Sequence, residues 1–274
     1  MRSHPDLHSQ PDLHSQEVFH HYERRHWRLA DIPWREVRLD LVRPEYVTMA
    51  KSAVMGEANS IAAQHGFYNE FDDYDFSAFV AIWGYEELQH HFAFRSWLSA
   101  VGAQVSPAAV AAMRAPYDPG TTPAATLATN IISELTVNHV YKAVAAWVEE
   151  PVLRLVMTNA SRDEAGHARE FLHFARARLA AHPDELASVL ETLYIYTAEQ
   201  RIKHPVGVFK SGLDALRDHE TIDTAFELFL EKVAAAGDLE KLQDNIRRAF
   251  AALTGMDVSS NARVRRRLAE ALAA

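Results

Sequence analysis

Apolar residues recur at steps of three and four along most of the chain, the spacing of a helix that buries one face. From 75 to 102 the stripe reads Phe76, Val80, Trp83, Glu87, His90, Phe94, Trp97 and Val101. From 151 to 181 it reads Val152, Val156, Ala160, Glu164, His167, Phe171 and Phe174. Leu127, Ile131, Glu134, Tyr141 and Val144 mark a third stripe, and Ala50, Val54, Glu57 and Ile61 a fourth. The pattern predicts helices over 17–29, 44–67, 75–102, 122–149, 151–181, 183–201, 221–236, 238–253 and 259–273. Pro44, Pro123, Pro151 and Pro183 stand where helices open, with Thr122 as a cap, and Gly102, Gly237 and Gly255 where they close. Helices this long, with so few glycines, predict an all-α protein built on a four-helix bundle with additional flanking helices.

Each of the four stripes is interrupted by acid at its middle. A Glu and a His three residues apart lie on one helix face and can reach one ion. Chance alone gives about one such pair in a chain of this composition. This chain has five: Glu17/His20, Glu23/His26, Glu87/His90, Glu164/His167 and Glu170/His173. Register separates them. Glu164 lies 77 residues after Glu87, His167 after His90, Glu134 after Glu57 and Asp163 after Glu86. The same offset from Glu17, Glu23 and Glu170 meets Phe94, Ala100 and Ala93, so those three pairs read as solvated helix faces. A two-fold repeat emerges, with a lone Glu on one helix and acid-Glu-x-x-His on the next.

Composition narrows the chemistry. The 274 residues contain no cysteine, which leaves oxygen and nitrogen as ligand atoms. A net charge of −9 argues against nucleic-acid binding, and no apolar run approaches the ~18 residues of a membrane span. With no secretory leader in MRSHPDLHSQPDLHSQ, a cytoplasmic location is expected. The hexapeptide PDLHSQ occurs twice there, at 5–10 and 11–16, and reads as a disordered tail over 1–16, ahead of a single domain over 17–274 with its metal-binding core at about 44–181.

Four carboxylates and two imidazoles buried without partners would cost several kcal/mol per ion. A salt-bridge network would need cations, and no Lys or Arg occupies these stripes near the clusters. Two divalent ions neutralise four carboxylates. Glu57, Glu87, His90, Glu134, Glu164 and His167 are therefore the candidate metal ligands, and an oxygen-rich set with one imidazole per ion suits two iron ions, with manganese as the alternative. Glu86 and Asp163 are candidates to orient the histidines from behind. Trp83, Phe94, Trp97 and Phe171 read either as walls of a substrate channel or as core packing.

WGYEELQHHFAFRSWLSAVGAQV resembles the first iron-binding helix of the soluble acyl-acyl-carrier-protein desaturases, and SELTVNHVY with PVLRLVMTNASRDEAGHAREF resembles their second half. RIKHPVGVF is similar to the segment after that family's last core helix, and HWRLADIPW to the approach segment of its bacterial members. The resemblance covers about residues 26–210. It implies a ferritin-like di-iron fold, the same six ligands, and oxygen-dependent oxidation of an acyl chain carried as a thioester. It also implies an acyl carrier protein as partner. The chain has no Gly-x-Gly-x-x-Gly, so electrons are expected from a separate, ferredoxin-type donor. A homodimer is the expected assembly. Plant-like members of the family carry a threonine three residues after the third-helix Glu, where this chain has Val137, with Thr136 beside it. Hydroxylation or N-oxidation of a small amine or aromatic, or an iron store, therefore stand as alternatives. Two basic stretches suit an acidic carrier: Arg201, Lys203 and Lys210, and Arg263, Arg265, Arg266 and Arg267.

Overall fold

The computed structural model describes residues 13–112, 120–197 and 239–273. Ten helices follow one another in these segments: α1 His14–Arg25, α2 Pro44–Ala58, α3 Ser60–Glu70, α4 Tyr74–Ala100, α5 Pro107–Ala112, α6 Pro123–Trp147, α7 Pro151–Ala181, α8 Leu186–Thr197, α9 Leu239–Thr254 and α10 Asn261–Leu272. Proline opens α2, α6 and α7, as predicted. Asp73 caps α4 through the Phe76 N–H at 2.6 Å, and Thr122 caps α6 through that of Ala125 at 3.2 Å. Gly102 and Gly255 close α4 and α9 with positive φ of 74° and 67°, a conformation other residues rarely adopt.

The architecture is an all-α, ferritin-like four-helix bundle with flanking helices. α2 and its continuation α3 lie along α4, α6 lies along α7, and α4 meets α7 across the bundle. Short links at 71–73 and 148–150 make each pair antiparallel, while the long crossover from α4 to α6 carries α5. Outside this core, α1 packs on α4, α8 on α6, α9 on α6 and α7, and α10 on α8.

Two apolar cores fill the bundle, one at each end. The first is built from Met49, Val54, Phe94, Trp97, Val140, Val144, Val156 and their neighbours. The second is rich in phenylalanine, with Phe67, Phe76, Phe79 and Phe171 around Trp83, and it continues through Leu190 to Ile246 and Phe250 of α9. Burying each such side chain contributes about 1.5–3 kcal/mol. In every bundle helix the predicted acid lies between the two sets, so the ionisable residues form a layer clamped between apolar blocks.

Three boundaries differ from expectation. The first helix begins at His14 rather than 17 and ends at Arg25, so the last residues of the supposed tail are structured. His14 and Ser15 donate backbone N–H bonds to Asp75 at 3.0 and 2.8 Å, and His14 Nε2 lies 2.5 Å from Glu170. The expected continuous helix over 44–67 breaks at Asn59. There the Asn59 N–H turns to the Gly56 carbonyl at 3.1 Å, and the Ser60 hydroxyl takes the Glu57 carbonyl at 2.7 Å, drawing backbone acceptors out of the α-helical ladder. The expected helix from 183 opens with a 3-10 turn, Pro183–Glu185. The expected helix over 221–236, Gly237, and the stretch with Arg201, Lys203 and Lys210 lie outside the described residues. Among the described residues no helix is long and apolar enough to cross a membrane.

Candidate metal centre

All six predicted ligands converge in the polar layer. Two groups have ligand atoms within 4.8 Å of one another: Glu57, Glu87, His90 and Glu164, and Glu87, Glu134, Glu164 and His167. Glu87 and Glu164 belong to both groups. Glu57 and His90 belong to one alone, and Glu134 and His167 to the other. All six are buried, His90 completely.

The local geometry follows from the helices. In α4 and α7 the spacing of three brings Glu and His to the same face, aimed between α2 and α6. His90 Nδ1 lies 3.2 Å from Glu164 and 3.8 Å from Glu57, and His167 Nδ1 lies 3.0 Å from Glu87 and 3.4 Å from Glu134. Yet His90 Nδ1, Glu87 Oε1 and Glu164 Oε1 are buried with no hydrogen-bond partner. Lone pairs that face one another without an aligned proton are costly in a dry layer and suit a shared cation. Four carboxylates and two imidazoles fit a pair of divalent ions in charge and in donor type.

The electrostatics of the layer point the same way. Burial, reinforced by the charges of Glu164 and Glu57, pushes the Glu87 carboxyl well up. Burial and Glu164 push Glu134 up to about 8. Glu164 moves down, because the contact with His167 and the positive charge of His90 outweigh its own burial. Both histidines move up despite burial, held as cations by the surrounding carboxylates. Such a layer retains protons that a metal would displace.

Behind the ligands the two halves support each other. His90 Nε2 lies 3.0 Å from Asp163, the acid that precedes Glu164, and His167 Nε2 lies 3.0 Å from Glu86, the acid that precedes Glu87. The two acids singled out in the sequence thus fix the aim of both imidazoles, each across the bundle. Trp27 Nε1 donates to Asp163 at 2.7 Å, and His26 Nδ1 approaches Glu86 to 3.2 Å. The Tyr141 hydroxyl bonds Glu57, and Trp83 Nε1 donates to Glu134 at 3.2 Å.

The remaining sequence assignments divide. Glu17 and His20 are exposed, as expected of a solvated face. Glu170 and His26 depart from that expectation: Glu170 is buried against His14 and Arg169, and the His26 side chain is only 7% exposed. Phe94, Trp97 and Phe171 pack in the cores, Trp97 also donating to Glu150 at 2.8 Å. The Thr136 hydroxyl donates to the Ile132 carbonyl of its own helix at 2.7 Å and is turned away from the layer. Of the residues not foreseen in these roles, Tyr141 carried a signal, a hydroxyl on the Glu134 stripe. His26 and Trp27 carried none, because their place depends on how the segment after α1 folds back.

No family model matches the chain, and no curated protein matches it. Solved structures similar to it include DesA2 from Mycobacterium tuberculosis H37Rv, described as a putative acyl-ACP desaturase, at 18% identity, TM-score 0.47, over 87% of this chain and 90% of that one. An R2-like ligand-binding oxidase, a point variant aerobically reconstituted with an Fe/Fe cofactor, is similar at 15% identity and TM-score 0.39, over 95% and 91%. At these scores the fold assignment stands on the chain's own helices and ligand layer.

Proposed function

We propose that the protein is a non-haem di-iron oxidoreductase that uses O2 to oxidise an acyl chain carried as a thioester. The observation that carries the di-metal part is the pair of buried ligand groups sharing Glu87 and Glu164. In this reading Glu57 and His90 would help to hold one ion and Glu134 and His167 the other, with Glu87 and Glu164 common to both groups. A bound pair of ferrous ions supplies the redox chemistry; the protein supplies geometry and a water-poor setting. Asp163 and Glu86 hold the imidazoles in place. Tyr141 holds Glu57 and Trp83 holds Glu134, each by one oxygen. The two apolar cores keep bulk water from the layer.

The acyl part rests on the resemblance of residues 26–210 and on charge. Of the predicted basic stretch in α10, Arg263 is paired with Asp257, and Arg266 and Arg267 with Glu270, which weakens it as a docking patch. Another candidate surface is the cleft of about 570 Å³ between α6 and α9, whose lining includes Lys142, Lys241, Arg247 and Arg248 beside Asp244 and Asp257. Its floor residue Asn138 lies one helical turn from Glu134, so an acidic carrier seated there would stand close to the metal layer. A ferredoxin-type protein is the proposed donor.

A second reading is favoured by Val137 and by the bond of Thr136 to its own helix backbone: without a hydroxyl facing the layer from α6 at that point, hydroxylation or N-oxidation of a small amine or aromatic is the outcome to test against desaturation. Iron-loaded protein with reduced ferredoxin and O2 is offered acyl carrier thioesters, and separately small amines and aromatics, with products read by mass spectrometry. Loss of two hydrogens from an acyl thioester, weakened by charge reversal at Lys142 and Arg248, is expected. Oxidation of the small molecules alone overturns the acyl reading, and absence of any O2-dependent product overturns the enzyme reading.

A further inference from the structure

Outside the six-residue layer lies a third convergent group. His26, Glu86 and Asp163 bring ligand atoms within 4.8 Å of one another. Their positions follow from the bracing described above. Trp27 and His90 both use Oδ2 of Asp163, and His167 uses Oε2 of Glu86. Oδ1 of Asp163 and Oε1 of Glu86 are thereby left for another partner. His26 faces this pair from the end of α1, held by stacking on Tyr22 at 4.1 Å between ring centroids and by Trp27 at 5.8 Å. Its Nδ1 comes to 3.2 Å from Glu86 Oε1 without the alignment of a hydrogen bond, and its Nε2 is buried with no hydrogen-bond partner.

Nε2 of this largely buried imidazole is therefore left unsatisfied by the protein, at a cost of about 1–3 kcal/mol where water does not reach, and Nδ1 has only the unaligned approach to Glu86. The unaligned approach repeats what His90 Nδ1 and Glu164 Oε1 show inside the layer. An ion with bonds of about 2.0–2.2 Å holds its ligands roughly 3–4.4 Å apart, close to the present spacing. On its outer side His26 lines a groove of about 510 Å³, together with Tyr22, Tyr85, Gln89 and Phe92, which opens toward solvent. On its inner side Glu86 and Asp163 touch the two ligand histidines.

We propose that His26, Glu86 and Asp163 form a third divalent-metal site, of one imidazole and two carboxylates, lying between the solvent groove and the dinuclear layer and serving as a station through which ions enter. Three protein ligands leave positions for water, as a transit site requires. Its donors are the outward-facing atoms of these residues, so binding there is tested apart from the inner layer, while the role of entry station rests on the proposed dinuclear centre.

The test uses full-length protein and Mn2+ as the probe. Crystals soaked in Mn2+ are examined by anomalous scattering, and binding is titrated in solution by electron paramagnetic resonance, for the wild type and for His26→Gln, which keeps the side chain's bulk. The expected result is three anomalous peaks in the wild type, with the peak at His26 lost in the variant. Mn2+ affinity at that site falls at least tenfold, and loading of the inner pair slows. A peak at His26 without peaks in the inner layer supports the third site and overturns the dinuclear reading. Peaks in the inner layer alone overturn the third site. Absence of any ordered peak overturns both. If His26→Gln lowers melting temperature, wild-type peak positions still decide the matter.

Discussion

Glu57 on α2 and Glu134 on α6 occupy equivalent places 77 residues apart, yet one is held by a tyrosine hydroxyl and the other by an indole N–H. The backbone differs as well: α2 breaks two residues after Glu57, while α6 runs unbroken past Glu134 to Trp147. What the halves share is the direction of support. Asp163 of the second half holds His90 of the first, and Glu86 of the first holds His167 of the second. Tyr141 of the second half reaches Glu57, and Trp83 of the first reaches Glu134. Every ligand with an outer support is held from across the bundle, so neither half forms its side of the layer alone. The ligand set is symmetric, and its scaffolding only partly so.

The comparison is broken most severely at the residues both groups share. Glu87→Ala or Glu164→Ala should lose both ions, whereas Glu57→Ala or Glu134→Ala should lower occupancy from two ions toward one. Metal analysis of each purified variant, with melting curves to confirm folding, decides this; equal losses from all four would show that the groups are not distinct. Next in size come the outer acids. Asp163→Asn should weaken the ion beside His90, and Glu86→Gln the ion beside His167, each by about 10–100-fold. Mössbauer spectra of iron-loaded protein resolve which ion is affected, and loss on the same side in both variants would refute the crossed arrangement.

How much of this could be read in advance follows the same division. The convergence of the six candidate ligands was legible because each interrupts a helical stripe, and that of Glu86 and Asp163 behind the histidines because a 77-residue register links the halves. Among the described residues, helix ends were legible at Pro44, Pro123, Pro151, Gly102 and Gly255. The supports Trp83 and Tyr141 break the register, since the same offset leads from Trp83 to Ala160 and from Tyr141 back to Gln64. Their roles depend on packing across the bundle, which periodicity does not encode. His14, His26 and Trp27 were illegible for a further reason: they come from the segment before the bundle, and only the path of the chain brings them against α4 and α7. The break after Glu57 was visible only as a cluster of Gly56, Asn59 and Ser60, each compatible with a continuing helix.

Acidity should distinguish the metal-free from the loaded layer by a smaller but measurable amount. In the metal-free fold Glu134 keeps its proton up to about 8, while an unfolded glutamate loses it near 4.5. Between these values the folded state binds more protons, so stability should fall as pH rises, by up to about 1.4 kcal/mol per pH unit for each proton retained. Glu87, His90 and His167, all moved up, act in the same direction. Glu164, moved down, makes its contribution in full above the unfolded value and loses it only under stronger acid. Melting temperatures of the metal-free protein from pH 5 to 8 should therefore decline, and metal should flatten the curve while releasing protons into weakly buffered solution. A metal-free melting temperature that climbs over this range would contradict the protonated layer.

The smallest effects should separate the two unlike supports. Tyr141→Phe removes one hydroxyl from the wall of the layer and leaves Glu57 to find another donor, at about 1–2 kcal/mol, or a few degrees in melting temperature for a chain of this length. Trp83→Phe removes an indole N–H from Glu134 and also leaves a gap among Phe67, Phe76 and Phe171, so its stability loss should be the larger. Metal affinity should rank them differently from stability. Glu57 loses a hydroxyl donor while Glu134 loses an indole donor whose 3.2 Å separation is at the long end for a hydrogen bond, so Tyr141→Phe should weaken its ion more than Trp83→Phe weakens the other. Competition titrations against a chelator, read beside the melting curves, test this inversion. If Trp83→Phe is the more damaging variant in both measurements, packing rather than hydrogen bonding sets the affinity of the layer.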